Sequence, residues 1–249
     1  MFRICIIIFF LLSFFSCNSP DAETDKTSLD KKECVILLHG LARTKRSMNK
    51  LEHAFSLAGY KVINVDYPSR EFPIEKLSES VIPGALKICR TFSPNRIHVV
   101  THSMGGILLR YYLAEEKIEN LGRVVMLSPP NKGSEAVDKL SDFFIFKLIN
   151  GPAGKQLGTD KNSIPMALGP ADFELGIITG DRSINPILSM IIPGADDGKV
   201  SVKRANLEGA LEFLVVHSSH PFIMRNKGVI NKVIHFIEYG CFDKGDSQS

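Results

Sequence analysis

The chain alternates short apolar runs with segments of helical spacing, and this alternation is the feature that most constrains its fold. Apolar strands separated by helices indicate a parallel sheet that is covered by helices on both faces. Ligands of such sheets bind at the carboxyl ends of the strands, so we expect functional residues where the apolar runs end. The six predicted strands lie at 33–40, 60–68, 97–100, 123–130, 173–180 and 211–217.

Four segments between and after these strands have apolar residues at helical spacing. Leu57 and Ile88 are expected on the apolar faces of the first two helices, and Pro83 predicts an irregularity in the second. The predicted helices lie at 44–58, 74–91, 104–116 and 228–240.

Residues 131–172 interrupt the alternation and are predicted to form an inserted lid or cap, helical around 135–149. A connection of some 40 residues is long for a simple crossover, although a crossover helix with a long loop remains the alternative. The segment contains an apolar run from Phe143 to Ile149, which would suit acyl chains or a lipid surface. Packing into the core is the other interpretation of that run.

The amino terminus has one basic residue, Arg3, followed by an apolar run from Ile4 to Phe15. This run is shorter than the roughly 20 residues that span a bilayer, and it is typical of an export signal. The run ends at Ser16-Cys17 and a polar segment follows, a pattern that resembles a bacterial lipoprotein signal. The resemblance implies a signal at 1–16, lipidation of Cys17, a tether at 17–32 and attachment to a membrane of the bacterial cell envelope. An ordinary cleaved signal, giving a secreted or periplasmic protein, and an uncleaved anchor stay open.

The rest of the 249-residue chain fits one domain at 33–240 with a tail at 241–249. The net charge of +3, with both signs mixed along the chain, argues against a nucleic-acid partner. Cys34, Cys89 and Cys241 match no metal-binding spacing. Cys34 and Cys89 lie in apolar segments and are expected to be buried, while a disulfide between any two of the three stays open.

Residues 97–106 read IHVVTHSMGG, a predicted strand that runs into Ser103 and two glycines. A serine hydroxyl is a poor nucleophile and needs a base, a group that orients the base, and donors for the developing oxyanion. A tight turn from strand to helix exposes the serine and places the next amide at a helix start. Gly105 would let the helix start close to the strand, Gly106 would add clearance, and His102 is expected to pack at the turn. The alternative for Ser103 is a plain helix cap.

The THSMGG motif resembles the nucleophile elbow of α/β-hydrolases, in particular bacterial lipases and esterases with A/G-H-S-M-G-G at this place. The resemblance implies the α/β-hydrolase fold, Ser103 as nucleophile, and two-step acyl transfer with no metal or organic cofactor. The segment HGLARTKRSM after the first strand resembles the loop that completes the oxyanion hole in such lipases. That match implies the main-chain amides of Leu41 and Met104 as donors, with His39 packed beside them, unless His-Gly merely ends the strand.

The remaining members of the implied triad follow in the order Ser, acid, His. The segment LEFLVVHSSHPFIM offers two histidines, of which His217 continues the strand and could be a core residue, so His220 is preferred as the base. The segment PGADDGKVSV resembles the D-G-x-V stretch that carries the acid in similar lipases, which implies Asp197. Asp181, directly after the fifth strand, and Asp196 remain alternatives.

The sequence therefore predicts a serine carboxylic-ester hydrolase of lipase or esterase type, acting on a small-molecule or lipid ester. A thioesterase or acyltransferase on the same triad stays open, because a different leaving group or acceptor leaves no mark in these motifs. A binding protein of the cell envelope that uses a hydrolase fold without chemistry is the alternative from another class.

Overall fold

The computed structural model of the protein describes residues 31–140 and 144–243, without the side chains of residues 144–149. The predicted signal, the Cys17 lipidation site and the side chains of the apolar run Phe143–Ile149 lie outside the described residues.

Six parallel strands form one sheet in the order β2-β1-β3-β4-β5-β6, which confirms the predicted α/β architecture. Parallel pairing requires a crossover between neighbouring strands, and the segments between the strands supply it. The strands are β1 (Glu33–Leu38), β2 (Lys61–Val65), β3 (Arg96–His102), β4 (Leu121–Leu127), β5 (Leu175–Gly180) and β6 (Glu212–Val216).

Helices lie at the four predicted helical segments, and the structure differs from the prediction in the exposure of two residues. Leu57 and Ile88 are exposed, because each lies two residues, or about 200° around a helix, from a buried residue, Phe55 and Leu86 respectively. Within the stretch expected to be helical around 135–149, the structure describes helix at 135–140 and from 144 onward, and residues 141–143 lie outside the described residues. The helices are α1 (Asn49–Leu57), α2 (Ile74–Arg90), α3 (Met104–Glu115), α4 (Glu135–Leu140), α5 (Phe144–Lys155), α6 (Ile164–Ala167), α7 (Pro186–Ser189), α8 (Val202–Ala205) and α9 (Lys227–Tyr239).

The sheet buries both of its faces, which explains why its strands are apolar along their whole length. In β1, Ile36 and Leu38 point to the face that α2 and α3 cover. Val35 and Leu37 point to the opposite face, which α1 and α9 cover. The protein is thus a three-layer structure, and its polar strand ends are the places where side chains are free to do chemistry.

A disulfide joins Cys34, at the start of β1, to Cys89, near the end of α2. Both cysteines are buried, as expected. Phe242, in the segment predicted as a tail, is also buried and packs against Phe236 of α9, with ring centroids 4.9 Å apart and the rings tilted by 36°.

The segment 131–172, between β4 and β5, contains α4, α5 and α6. It is attached to the start of α2, where the Ile74 amide donates to the side chain of Gln156 at 2.7 Å. Gly151 has a φ of 62° and interrupts the helical backbone within α5. Within 31–140 and 144–243, no helix is both long and apolar enough to cross a bilayer.

Candidate active site

Ser103 occupies a strained turn between the end of β3 and the start of α3. Its φ of 53° and ψ of −125° lie in a region that residues with a side chain rarely adopt. The Ser103 amide donates to the Leu127 carbonyl of β4 at 2.8 Å, which fixes the turn to the sheet. This backbone places the hydroxyl at the carboxyl edge of the sheet, as in a nucleophile elbow.

The two glycines after Ser103 allow α3 to begin against the sheet. A Cβ atom at Gly105 would lie 2.7 Å from the Leu38 carbonyl oxygen and 2.8 Å from that of His39, at the end of β1. A Cβ atom at Gly106 would lie 3.2 Å from the Thr101 hydroxyl oxygen. Larger side chains would push the helix away, so the glycines set the position of the Met104 amide at its start.

A continuous chain of hydrogen bonds links Ser103, His220 and Asp197. His220 Nε2 lies 3.0 Å from Ser103 Oγ, and His220 Nδ1 lies 2.8 Å from Asp197 Oδ2. All three side chains are buried. They come from three separate strand ends, since Asp197 lies between β5 and β6 and His220 follows β6.

Asp197 is held as an ionised acceptor. Its Oδ1 accepts the amides of Lys199 at 3.0 Å and Val200 at 2.9 Å. Burial alone would raise the pKa of Asp197, but its electrostatic attraction to the His220 imidazole and the hydrogen bonds from His220 and the Val200 amide outweigh burial, so the pKa lies below its ordinary value. The carboxylate is therefore oriented to accept from His220 Nδ1–H. The His220 Nε2 lone pair is then free to accept from the Ser103 hydroxyl.

The alternative acid and base lie elsewhere. Asp181 and His217 contact each other at 3.1 Å on the surface, where the His217 side chain is 74% exposed. The interpretation of His217 as a core histidine is therefore wrong, because the strand ends at Val216 and the next side chain turns outward. Asp196 accepts from Ser189 Oγ and from the Gly198 amide, which stabilises the loop before Asp197.

The amides of Leu41 and Met104 flank the Ser103 turn from two different elements. Among the described residues, neither amide donates a hydrogen bond to a protein acceptor. Beside them, His39 stacks on Tyr67 with ring centroids 3.9 Å apart, and its Nδ1 lies 2.9 Å from the Gly40 carbonyl. Burial lowers the pKa of His39. His39 thus packs beside the two amides, and both donors are available to an anion.

The loop that carries Leu41 is fixed by hydrogen bonds and packs against the Ser103 turn. The Arg43 amide donates to the Gly40 carbonyl at 3.2 Å, and the Ala42 amide donates to Ser69 Oγ at 3.1 Å. A Cβ atom at Gly40 would lie 3.0 Å from the Ser103 Cβ. This close approach packs the residue before Leu41 directly against the Ser103 side chain.

The segment 131–172 borders the same site on two sides. Ser134 Oγ donates to the Lys199 carbonyl at 2.7 Å, beside the loop of Asp197. A Cβ atom at Gly154 would lie 3.1 Å from the Leu41 side chain. These contacts place the segment next to the site, and its role as a lid stays a prediction.

Sequence reasoning missed three supporting features of the site. The Tyr67 hydroxyl donates to the His39 carbonyl and holds the end of β1. The amides that bind Asp197 belong to a tight turn, which the Asp-Asp-Gly sequence signals. The third feature is the side chain of His102, which hydrogen-bonds to the His220 carbonyl instead of only packing at the turn. Among the described residues, no cluster of three or more His, Cys, Asp or Glu side chains is arranged to hold a metal ion.

Comparisons with known proteins connect this geometry to a fold. No family model matches the chain, and no curated protein sequence matches it significantly. Among solved structures, the lipase BlEst2 of Bacillus licheniformis in its mature form superposes with a TM-score of 0.64 at 17% identity, covering 84% of this chain and 91% of that chain.

Two further structures are similar. The metagenome-derived lipolytic enzymes LipS and LipT are represented by a structure with a TM-score of 0.59 at 16% identity, covering 85% of this chain and 95% of that chain. Phospholipase PlaB from Legionella pneumophila has a TM-score of 0.57 at 18% identity, covering 70% of this chain and 45% of that chain.

These similarities, with the six-stranded parallel sheet and its covering helices, show that the protein has the α/β-hydrolase fold. The prediction of that fold from the THSMGG motif is confirmed. At identities this low the likeness establishes the fold, and function has to be argued from the site itself.

Proposed function

We propose that the protein is a serine carboxylic-ester hydrolase of lipase or esterase type. The observation that carries the proposal is the buried hydrogen-bonded chain from Asp197 through His220 to Ser103, which ends at a strained turn. Folds of this kind host many functions, but this combination of acid, base and hydroxyl is the arrangement that activates a serine for acyl transfer.

In the proposed acylation step, Ser103 Oγ attacks the ester carbonyl carbon while His220 Nε2 takes the hydroxyl proton. The negative charge of Asp197 stabilises the imidazolium that forms. The tetrahedral oxyanion accepts hydrogen bonds from the unpaired amides of Leu41 and Met104. His220 then returns the proton to the leaving alcohol, which gives an acyl-enzyme on Ser103.

Deacylation repeats the chemistry with water. His220 Nε2 removes a proton from a water molecule that attacks the acyl carbonyl, and the same two amides hold the second oxyanion. Collapse of that intermediate releases the carboxylic acid and returns the proton to Ser103. No step needs a group other than those of this chain and water.

A fluorophosphonate probe tests the proposal, because it reacts with a serine only where the base and oxyanion donors activate it. We expect the wild-type protein to be labelled and to hydrolyse nitrophenyl esters. The Ser103→Ala variant should do neither, while its folding is unchanged by circular dichroism. A series of acyl lengths then defines the substrate. Absence of labelling of folded wild-type protein in both buffer and detergent would contradict the proposal.

We also propose that the protein is exported and lipidated at Cys17. The apolar run before Ser16-Cys17 supports export, and so does the Cys34–Cys89 disulfide, since disulfides persist mainly in oxidising compartments. Metabolic labelling with a radioactive fatty acid should mark the wild-type protein and leave Cys17→Ser unmarked. Equal labelling of both would exclude this site.

A further inference from the structure

His102, the residue before the proposed nucleophile, makes a contact that its position in the motif does not explain. Its side chain is only 1% exposed, and its Nε2 lies 3.0 Å from the main-chain carbonyl oxygen of His220. The two imidazole rings lie close together, with centroids 4.8 Å apart. Because a carbonyl oxygen only accepts, the Nε2 of His102 must carry a proton and donate it to this bond.

The other nitrogen of His102 shows that the ring is neutral. Nδ1 is buried and, among the residues described, has no hydrogen-bond partner. The space beside it is closed by Gly40, where a Cβ atom would lie 2.8 Å from Nδ1. Burial and then the positive charge of His220 lower the pKa of His102 far below its ordinary value. A second proton on His102 would therefore be buried without a hydrogen-bond partner.

With this contact, both the amide and the carbonyl of the His220 main chain are hydrogen-bonded. On one side, the His220 amide donates to the Asp197 carbonyl at 2.8 Å. On the other side, the His220 carbonyl accepts from His102 at 3.0 Å. The first bond ties His220 to the loop of the acid, and the second ties it to β3, the strand that leads into Ser103. The main-chain amide of His220 is thus bound to Asp197, and its carbonyl is bound to His102, the residue before Ser103.

We propose that His102 is a positioning residue, whose Nε2–H holds the main chain of His220 so that the imidazole stays within hydrogen-bond reach of Ser103. This inference rests on the proposed function and adds to it a named donor that acts through His220. Reactive groups must be held closely, and a displacement of about 1 Å can cost on the order of 100-fold in rate. A single buried bond at this place is therefore enough to matter.

The experiment compares two replacements of His102 with matched volume but different donors. Gln presents an amide N–H near the place of Nε2, whereas Leu presents none. We measure the rate constant of fluorophosphonate labelling per active site, its endpoint, and kcat on a soluble nitrophenyl ester. For His102→Leu we expect labelling rate and kcat to fall together by roughly 10- to 100-fold. The endpoint should stay at one label per chain, and His102→Gln should recover most of the loss.

The matched control is His98→Leu, which removes another buried histidine of the same strand that contacts Arg123 instead of the site. It should lower thermal stability and leave the labelling rate within about twofold of wild type. If His102→Leu does not fold, His102→Asn replaces it, because Asn is polar but too short to reach the carbonyl. The expected order of rates is then Gln well above Asn.

Two results would overturn the inference while leaving the proposed function intact. One is a wild-type labelling rate in His102→Leu, or in Asn where Leu does not fold. The other is an equal loss in the Gln variant and the variant without a donor within reach, which would assign the role to ring shape. Failure of the proposed function looks different, because the wild-type protein itself would then not be labelled.

Discussion

Asp197 and Asp181 show at the residue scale how environment separates two chemically identical side chains. Each contacts a histidine that follows β6, at 2.8 Å and 3.1 Å respectively. The Asp197 pair is buried and adds two amide donors, whereas the Asp181 pair lies in solvent, where an ion pair contributes little. Only the buried pair can hold an imidazole in one orientation.

Replacing Asp197 by Asn should therefore lower kcat by about 10³- to 10⁴-fold, because the amide no longer fixes the His220 tautomer or stabilises its positive charge. The matched control, Asp181→Asn, should keep kcat within about twofold. Steady-state hydrolysis of a nitrophenyl ester measures both. If the two variants lost equal activity, Asp197 would not be the acid.

At the element scale, the Cys34–Cys89 disulfide links the first strand of the sheet to the last turns of α2 across 55 positions of sequence. It joins two elements that already pack in one core cluster. A cross-link of this kind acts mainly by restricting the unfolded chain, which otherwise gains entropy when the loop opens.

The double variant Cys34→Ala/Cys89→Ala should lose about 4 kcal/mol of unfolding free energy, from the closure entropy of a loop of this length. The loss should appear in urea unfolding as a lower midpoint. Ester hydrolysis at low temperature should be retained, since the bond lies at the edge of the sheet opposite Ser103. A midpoint equal to that of the oxidised wild type would show that the bond contributes nothing to stability.

The start of α3 also shows how the packing of one element on another positions residues of the proposed site. Gly105 lets this helix, which begins at Met104, pack against the carbonyls of Leu38 and His39. The proposed oxyanion donor at Met104 thus depends on the packing of α3 on β1, which the glycines of the motif permit.

At the scale of the whole molecule, buried neutral histidines make stability depend on pH. His98 is buried in β3, and burial, together with the charges of Arg123 and Arg96, lowers its pKa to about 4. The unfolded chain has an ordinary histidine pKa near ~6.5, so it binds more protons than the folded chain between these values. The stabilisation of the folded state by neutral His98 is complete above pH ~6.5, and it is lost as the pH falls toward the pKa of His98 in the folded chain.

We expect the folded state to lose up to about 3 kcal/mol from this one group as the pH falls from 7 toward 4. His98→Gln keeps an acceptor for the Arg123 amide but removes the titration, so its melting temperature should vary less with pH over that range. The slope should not vanish, because His102 is buried and shifted in the same direction. An identical pH dependence in variant and wild type would exclude this contribution from His98.

Local features of the sequence were sufficient to predict the α/β architecture. Six apolar runs predicted six strands, because burial on both faces of a parallel sheet demands continuous apolar segments. The Ser-Met-Gly-Gly motif predicted the turn at Ser103, since its crowding depends on immediate neighbours. The predicted helix face was wrong for Leu57, which lies at the last position of α1 and is exposed.

Periodicity and turn chemistry are short-range properties, so local patterns in the sequence were sufficient to predict the sheet, its covering helices and the bend that presents Ser103. The partners of that serine are long-range: His220 is 117 positions away, and Asp181 and Asp197 were both plausible acids on sequence grounds. It took the three-dimensional fold to show that Asp197 contacts His220, that Cys34 pairs with Cys89 and that His102 lies on the His220 carbonyl. The physical reason is that these contacts depend on the order of the strands and on which side chains remain buried, which no local pattern encodes.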